Sequence, residues 1–357
     1  MRLLISAGGT AGGVYPALAV VHALSGQAEV LWIGGQGGME EQLVPRAGLR
    51  FEAIPAAGLH GVGLAALPGN FWQLARGVRA ASRIVKDFTP QAMLLTGGYV
   101  GVPVALAGRH IPTLAYVPDL QPGLALRLIS RFADTVAVTA PEARQDYGRK
   151  RVVVTGYPTR PELRPLPKPE ARRQLGLDPE RGVVLAFGGS LGAHSINQAV
   201  WHALPGLLDL AQVVHLTGEL DWPQVTRVQA ELPERLKGRY HPYSYLHEQM
   251  GLALASADLV VSRSGASVLG EYPLFGLPAV LVPYPHSWRY QRINADYLVA
   301  RGAAVRLDDS SLARDLLPEV RGLLQDPSRL ESKAAAMRGL ARPGAAQAIA
   351  AELTRAA

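Results

Sequence analysis

One pattern constrains this chain more than any other: an apolar run that stops at a cluster of glycines and gives way to a helical segment, present twice, 180 residues apart. Arg2 to Ser6 leads into Gly8-Gly9-Thr10-Ala11-Gly12-Gly13 and then Pro16 to Leu24. Gly182 to Phe187 leads into Gly188-Gly189-Ser190-Leu191-Gly192-Ala193 and then Ser195 to Leu204. A short buried strand that turns directly into a helix is the building unit of a parallel sheet covered by helices. Its repetition predicts two such α/β domains.

Further apolar runs at Val30–Ile33, Ala92–Thr96, Thr113–Val117, Thr135–Val138 and Val152–Thr155 extend the first sheet. Pro158, Pro161, Pro165, Pro167 and Pro169 then forbid a regular ladder and mark a linker. The expected organisation is a Rossmann-like domain over 1–157, a linker over 158–170 and a second Rossmann-like domain over 171–340. A C-terminal helix over 341–357 is expected to pack back on the first domain. The 357 residues suffice for two cores, and 48% apolar with 18% charged residues is a globular composition.

Cysteine is absent, which removes disulfides, thiolate catalysis and cysteine-ligated metals together and fits a reducing compartment. No His-x-x-x-His pair occurs, so no metal or other cofactor is expected. The N-terminal apolar run is broken by Gly8, Gly9, Gly12 and Gly13 before a secretory leader is complete, and no 18-residue apolar stretch could span a bilayer.

At a strand-to-helix turn, glycines let backbone amides approach a ligand, and the helix N-terminus presents unpaired N–H groups and partial positive charge. Such a turn suits phosphate. Neither turn reads G-x-G-x-x-G, and no Walker lysine follows, so nicotinamide and ATP chemistry are weakly supported. A third turn, Gly97-Gly98-Tyr99, follows the Ala92 strand. A fourth, Arg263-Ser264-Gly265-Ala266, follows Leu259–Ser262 and is predicted to open a helix with Glu271 about one turn inside it. A carboxylate there can accept both hydroxyls of a ribose, or it can simply complement the helix dipole.

The charge is uneven. Residues 1–165 hold 16 basic and 10 acidic residues, against 20 and 19 in 166–357, so most of the net +7 lies in the first half. From Phe71 to Lys86 a helix is predicted with Arg76, Arg79, Arg83 and Lys86 at three- and four-residue steps and with Phe71 and Trp72 at its start. That face suits an anionic bilayer surface, where each base contributes on the order of 1 kcal/mol, or is a solvated surface above an ordinary core face.

Taken in order, Gly-Gly-Thr at 8–10 before Tyr15-Pro16-Ala17, Gly-Gly-Tyr at 97–99, Gly-Gly-Ser-x-Gly-Ala at 188–193, Arg-Ser-Gly-Ala at 263–266, and Gly276-Leu277-Pro278-Ala279 leading to Gln291 and Asn294 resemble the MurG family over nearly the whole chain. The resemblance implies the GT-B glycosyltransferase fold, with two Rossmann-like domains whose parallel sheets face across a cleft. It also implies metal-independent, inverting transfer of N-acetylglucosamine from UDP-N-acetylglucosamine to undecaprenyl-diphospho-muramoyl-pentapeptide. The enzyme would sit peripherally at the cytoplasmic face of the membrane, on anionic lipids, with no nucleic-acid partner.

On matching positions, Ser190 would bind the diphosphate, and Ala266, Ser267, Val268, Leu269, Gly270 and Glu271 would line the diphosphate and ribose. Gln291 and Asn294 would contact the sugar and Arg160 the nucleotide. Thr10, Ala11, Gly12 and Gly13 would line the first turn. Apart from the resemblance, Tyr243, Tyr245 and Leu246 precede Met250 in a loop that either covers the uracil or makes a simple apolar contact. A lipid-linked acceptor favours the membrane reading of the Phe71–Lys86 face.

The departures cluster on the acceptor side. Ala11 and Gly13 stand in a turn the family writes Gly-Gly-Thr-Gly-Gly-His, and Tyr116-Val117-Pro118-Asp119 replaces His-Glu-Gln-Asn. With the histidine gone, Asp119 is the hypothesised base, as the carboxylate of that strand-end segment. The competing readings are a UDP-N-acetylglucosamine 2-epimerase or other GT-B enzyme, and a nucleotide-sugar-binding protein that has lost its chemistry.

Overall fold

The computed structural model describes residues 1–8, 11–56, 67–189, 192–286 and 290–357. The chain forms two compact units, Met1–Pro161 with Pro343–Ala357, and Glu162–Arg342.

The first unit holds β1 (Arg2–Ser6), β2 (Glu29–Gly35), β3 (Arg50–Ile54), β4 (Ala92–Leu95), β5 (Thr113–Val117), β6 (Thr135–Val138) and β7 (Arg151–Val154). They form one parallel sheet in the order β3-β2-β1-β4-β5-β6-β7. The second unit holds β8 (Val183–Phe187), β9 (Gln212–Leu216), β10 (Tyr240–Tyr243), β11 (Leu259–Ser262), β12 (Ala279–Leu281) and β13 (Ala304–Arg306), parallel in the order β10-β9-β8-β11-β12-β13.

In each sheet the chain works outward from a central strand and then returns to that strand's other side. The reversal falls between β1 and β4 in one unit and between β8 and β11 in the other. Outside the carboxyl ends of two such strands is the place where parallel α/β sheets hold ligands. The Rossmann-like pattern read from the two glycine turns is the architecture found.

The central strands are buried along their length, apart from Arg2 at the start of β1, as continuous apolar runs between two helical layers must be. Helices differ from expectation mainly in length. The first, Ala11–Ala23, starts inside the glycine cluster. His194–Leu210 continues through Pro205, where an interior proline costs about 3 kcal/mol. Burial of Ala203, Leu204, Leu207 and Leu208 on both sides of that proline offsets the cost.

The last helix, Ala345–Ala356, lies against Ala11–Ala23 and puts Ala346, Ile349, Ala350 and Leu353 into the core of the first sheet. Arg151 of β7 holds it from the side through Glu352 at 2.6 Å. Leu353 is 1% exposed. Leu353→Ala should therefore cost about 2–5 kcal/mol of unfolding free energy in a urea titration of the first unit's transition, the ordinary price of a buried leucine.

Candidate active site at the strand-end turns

In the first unit β1 and β4 are paired, Ser6 beside Leu95, so their turns leave the sheet side by side. Gly98, at φ +81°, packs on the backbone of Gly8, where a Cβ would come 2.6 Å from the Gly8 carbonyl oxygen. Thr96 Oγ1 donates to the Gly13 carbonyl at 2.7 Å and ties the end of β4 to the opening of helix Ala11–Ala23. Trp32, fully buried in β2, donates its indole N–H to the Ala7 carbonyl at 3.1 Å. Glu40, 1% exposed, fills the space beside Gly8 and Gly38 and accepts the Gly35 N–H at 3.0 Å.

In the second unit Gly192, at φ +79°, lies where a Cβ would come 2.5 Å from the Thr217 carbonyl at the end of β9. Helix His194–Leu210 begins two residues later, with Ala193 as an N-cap that makes no side-chain hydrogen bond. From β11, Arg263 pairs with Asp309, donates to Ser195 Oγ at 2.8 Å and lies 5.3 Å from the Tyr284 ring centroid. Ser195 Oγ in turn donates to Asp309 at 2.8 Å. One cation thus joins the start of the helix after β8 to the ends of β11 and β13.

Beyond Arg263 the backbone departs from the expected single helix. Ala266–Leu269 is a 3₁₀ turn, Gly270 breaks the helical geometry at φ −128°, and Glu271 opens a separate short helix, Glu271–Phe275. The cause lies below. The Tyr272 hydroxyl donates to Ser262 Oγ at 2.6 Å and draws the second helix down onto β11.

Of the residues singled out in the sequence, Ala266, Val268 and Leu269 are buried around that turn, Ser267 and Gly270 are half-buried, and Glu271 is 8% exposed. The Gln291 side-chain carbonyl accepts the Tyr284 N–H at 2.9 Å. Asn294 is fully buried and donates to the Ser264 carbonyl at 3.2 Å. Leu246 is buried. Thr10 and Ser190 lie outside the described residues, as do the side chains of Ala11 and Phe71.

In the first unit Gly12 and Gly13 form the opening turn of helix Ala11–Ala23, and the Arg160 guanidinium lies 4.8 Å from the Tyr15 ring centroid. Tyr116 and Val117 are fully buried in β5, while Asp119, just past the strand, is half-buried. The helix expected from Phe71 spans Leu67–Phe88, with Trp72, Arg76, Arg79, Arg83 and Lys86 exposed and Gly77, Ala81, Val85 and Phe88 turned inward.

Residues 3–138 match the glycosyltransferase family 28 N-terminal domain and residues 183–349 match the family 28 C-terminal domain. The UDP-N-acetylglucosamine–N-acetylmuramyl-(pentapeptide) pyrophosphoryl-undecaprenol N-acetylglucosamine transferase of Roseiflexus sp. (strain RS-1) is 40% identical, over 98% of this chain and 94% of that one. The enzyme of the same name from Desulforudis audaxviator is 39% identical, over 98% and 96%. The chain belongs to the MurG family. Among solved structures, Acinetobacter baumannii MurG covers 99% of each chain at 28% identity with a TM-score of 0.79. A putative UDP-N-acetylglucosamine 2-epimerase from Listeria monocytogenes, at 16% identity and a TM-score of 0.69, shares the fold.

This MurG-family chain also carries a buried polar chain that the sequence reading passed over. Both amide hydrogens of Asn197 are committed, to the Thr217 carbonyl and to Asp221, each at 2.7 Å, so its Oδ1 must accept. The proton between it and His215 Nε2, at 3.0 Å, therefore belongs to the imidazole. His215 Nδ1 then accepts the Tyr240 hydroxyl at 3.1 Å, and that oxygen accepts the Trp201 N–H at 3.0 Å. Trp201, His215 and Tyr240 come from a helix and two strands, so no local pattern in the sequence signals the chain.

Burial holds the His215 pKa down, from the ordinary 6.5 to about 3, against the weaker upward pull of Asp221. A depressed histidine pKa means that the unfolded chain binds the proton first. The stability His215 contributes is complete above pH 6.5 and is lost as pH falls from 6.5 towards 3. His241, lowered chiefly by burial, acts with the same sign. Relative to the parent, His215→Gln should flatten the acid limb of the second unit's unfolding profile in that window by about 1.4 kcal/mol per pH unit, read by denaturant titration at stepped pH.

Proposed function

We propose that this chain transfers N-acetylglucosamine from UDP-N-acetylglucosamine to the 4-hydroxyl of N-acetylmuramic acid in undecaprenyl-diphospho-muramoyl-pentapeptide, converting lipid I to lipid II in peptidoglycan synthesis. The observation that carries the reading is the coincidence of motif and topology. The four glycine-bearing turns singled out in the sequence follow the strands that flank the two switch points, β1 and β4, and β8 and β11. Relatives that carry this activity in their names match the chain over nearly its whole length.

The second unit would hold the donor. Ser190 and the amides at the start of helix His194–Leu210 would take the diphosphate, together with the Ala266–Leu269 turn. Glu271 would accept the ribose hydroxyls, Leu246 would meet the uracil and Gln291 the sugar, with Asn294 holding the Ser264 segment beneath it. Arg160, steadied by the Tyr15 ring, would offset charge on the nucleotide.

The first unit would present the acceptor along Thr10, Ala11, Gly12 and Gly13. The 4-hydroxyl attacks the anomeric carbon from the face opposite the diphosphate, the glycosidic bond forms as the carbon–oxygen bond to UDP breaks, and configuration inverts. The hydroxyl proton passes to Asp119. The developing charge on UDP is met by helix N-termini and Arg160, without a metal ion.

Incubation with UDP-N-acetylglucosamine and a soluble lipid I analogue should yield the β-linked disaccharide and free UDP. An epimerised sugar would instead favour the epimerase reading, and no product the degenerate one. In the same assay Asp119→Asn should reduce kcat by about 10²-fold or more with the donor KM little changed. Full turnover in that variant would remove Asp119 as the base.

Among the described residues no helix is long and apolar enough to cross a membrane. The acceptor is lipid-borne, so the chain would work peripherally, at the cytoplasmic face. Trp72, 68% exposed, stands on the same helix as four exposed bases, Arg76, Arg79, Arg83 and Lys86. The exposed Leu124 and Leu128 stand with Arg127 on the helix Leu124–Phe132. These features suit anionic headgroups. Reversing Arg76, Arg79 and Arg83 to Glu should abolish sedimentation with phosphatidylglycerol vesicles at low salt while transfer to a soluble acceptor persists, and binding equal to the parent would defeat the assignment.

A further inference from the structure

The second glycine turn rests on a buried carboxylate that the scheme above does not use. Asp221 is 8% exposed, and its oxygens receive His194 Nδ1 at 2.8 Å, Asn197 Nδ2 at 2.7 Å and Gln224 Nε2 at 3.3 Å. His194 is the first residue of helix His194–Leu210 and Asn197 lies in its opening turn. The second Asn197 amide hydrogen goes to the Thr217 carbonyl, the same carbonyl against which Gly192 is packed. Asp221 therefore grips the helix opening at two side chains and, through Asn197, the strand end that supports the turn.

A helix is commonly steadied at its start by a serine, threonine or aspartate N-cap whose oxygen takes one of the first backbone N–H groups. A phosphate needs those same groups. Here the N-cap is Ala193 and makes no side-chain hydrogen bond. Asp221 supplies the rigidity from the side, through side-chain donors, and so does not compete for the backbone amides. Its negative charge also sits favourably near the positive end of the helix dipole.

We propose that Asp221 is the positioning residue of the diphosphate turn: through His194 and Asn197 it aligns the amides at the start of the helix while leaving them to the donor's phosphates. The proposal rests on the reading of this turn as the diphosphate site. Asp221 itself does not touch the donor, and its effect falls on the phosphate-bearing part of the ligand alone.

Calorimetry with UDP and with uridine, on the parent, Asp221→Asn and His194→Ala, tests this, with melting temperatures recorded and donor and acceptor KM measured in parallel. Asp221→Asn should weaken UDP about tenfold and raise the donor KM to match, with uridine affinity and acceptor KM unchanged. His194→Ala, at a side chain 58% exposed, should shift UDP in the same direction by less and keep the fold intact. Should Asp221→Asn fail to fold, His194→Ala decides by the same criterion. UDP affinity equal to the parent, or an equal loss for UDP and uridine, overturns the proposal. If the parent itself binds uridine as tightly as UDP, the diphosphate reading fails first and this proposal fails with it.

Discussion

Neighbouring parallel strands lie about 4.8 Å apart, and the glycine turns of this chain are shaped by that spacing at two places. Where β1 meets β4 and where β8 meets β11, two chains leave the sheet in the same direction, nearly in contact. In the first unit the approach is backbone against backbone, Gly98 on Gly8; in the second, Arg263 after β11 reaches Ser195 at the start of the helix after β8, and the turn between them packs Gly192 on Thr217 at the end of the other neighbour, β9. A side chain at Gly98 or Gly192 would need both a positive φ and space already taken. Glycine is therefore a condition of closing each turn.

A turn made of glycines has little rigidity of its own, and both units supply it from buried carboxylates contributed by other segments. Glu40 lies against Gly8 and Gly38 and accepts a backbone N–H; Asp221 holds the opening of helix His194–Leu210. A buried carboxylate is tolerable only where donors surround it. The donors around Asp221 are side chains, whereas Asp309 is compensated by the Arg263 cation. The two acids flank one helix start, so its placement is fixed from both sides.

The sequence displayed the central strands and the turns because their determinants are local. Leu3 to Ser6 and Val183 to Ala186 are buried on both faces and so read as unbroken apolar runs. The edge strand β3, Arg50–Ile54, has only its last residue fully buried and carries no such run. The helix through Pro205 was hidden for a different reason, since a local breaker is overridden by apolar burial on both sides of it. The break at Gly270 depends on the Tyr272–Ser262 contact, and Asp221 matters through a histidine 27 residues earlier. Tertiary partners of this kind leave no periodic trace.

The acceptor side shows how a family motif can be rewritten while its scaffold stays. The Gly13 position admits little, because a Cβ there would stand 3.3 Å from the Thr96 carbonyl oxygen, and the Thr96 hydroxyl is already bonded to the Gly13 carbonyl. Tyr116 has become structural: its hydroxyl lies 2.9 Å from Thr139 Oγ1, whose own hydrogen points to the Pro118 carbonyl at 2.8 Å. Burial, reinforced by the nearby Asp119 charge, pushes the Tyr116 pKa far above its ordinary value, so it stays protonated and cannot take a proton at neutral pH. The side chains of Val117 and Pro118 carry no acceptor, and their backbone carbonyls face the Thr139 hydroxyl, at 3.3 and 2.8 Å. Among the side chains of this segment a carboxylate, the group the proposed base role requires, is thus found at Asp119 alone, on a backbone that the Tyr116–Thr139–Pro118 bonds hold in place.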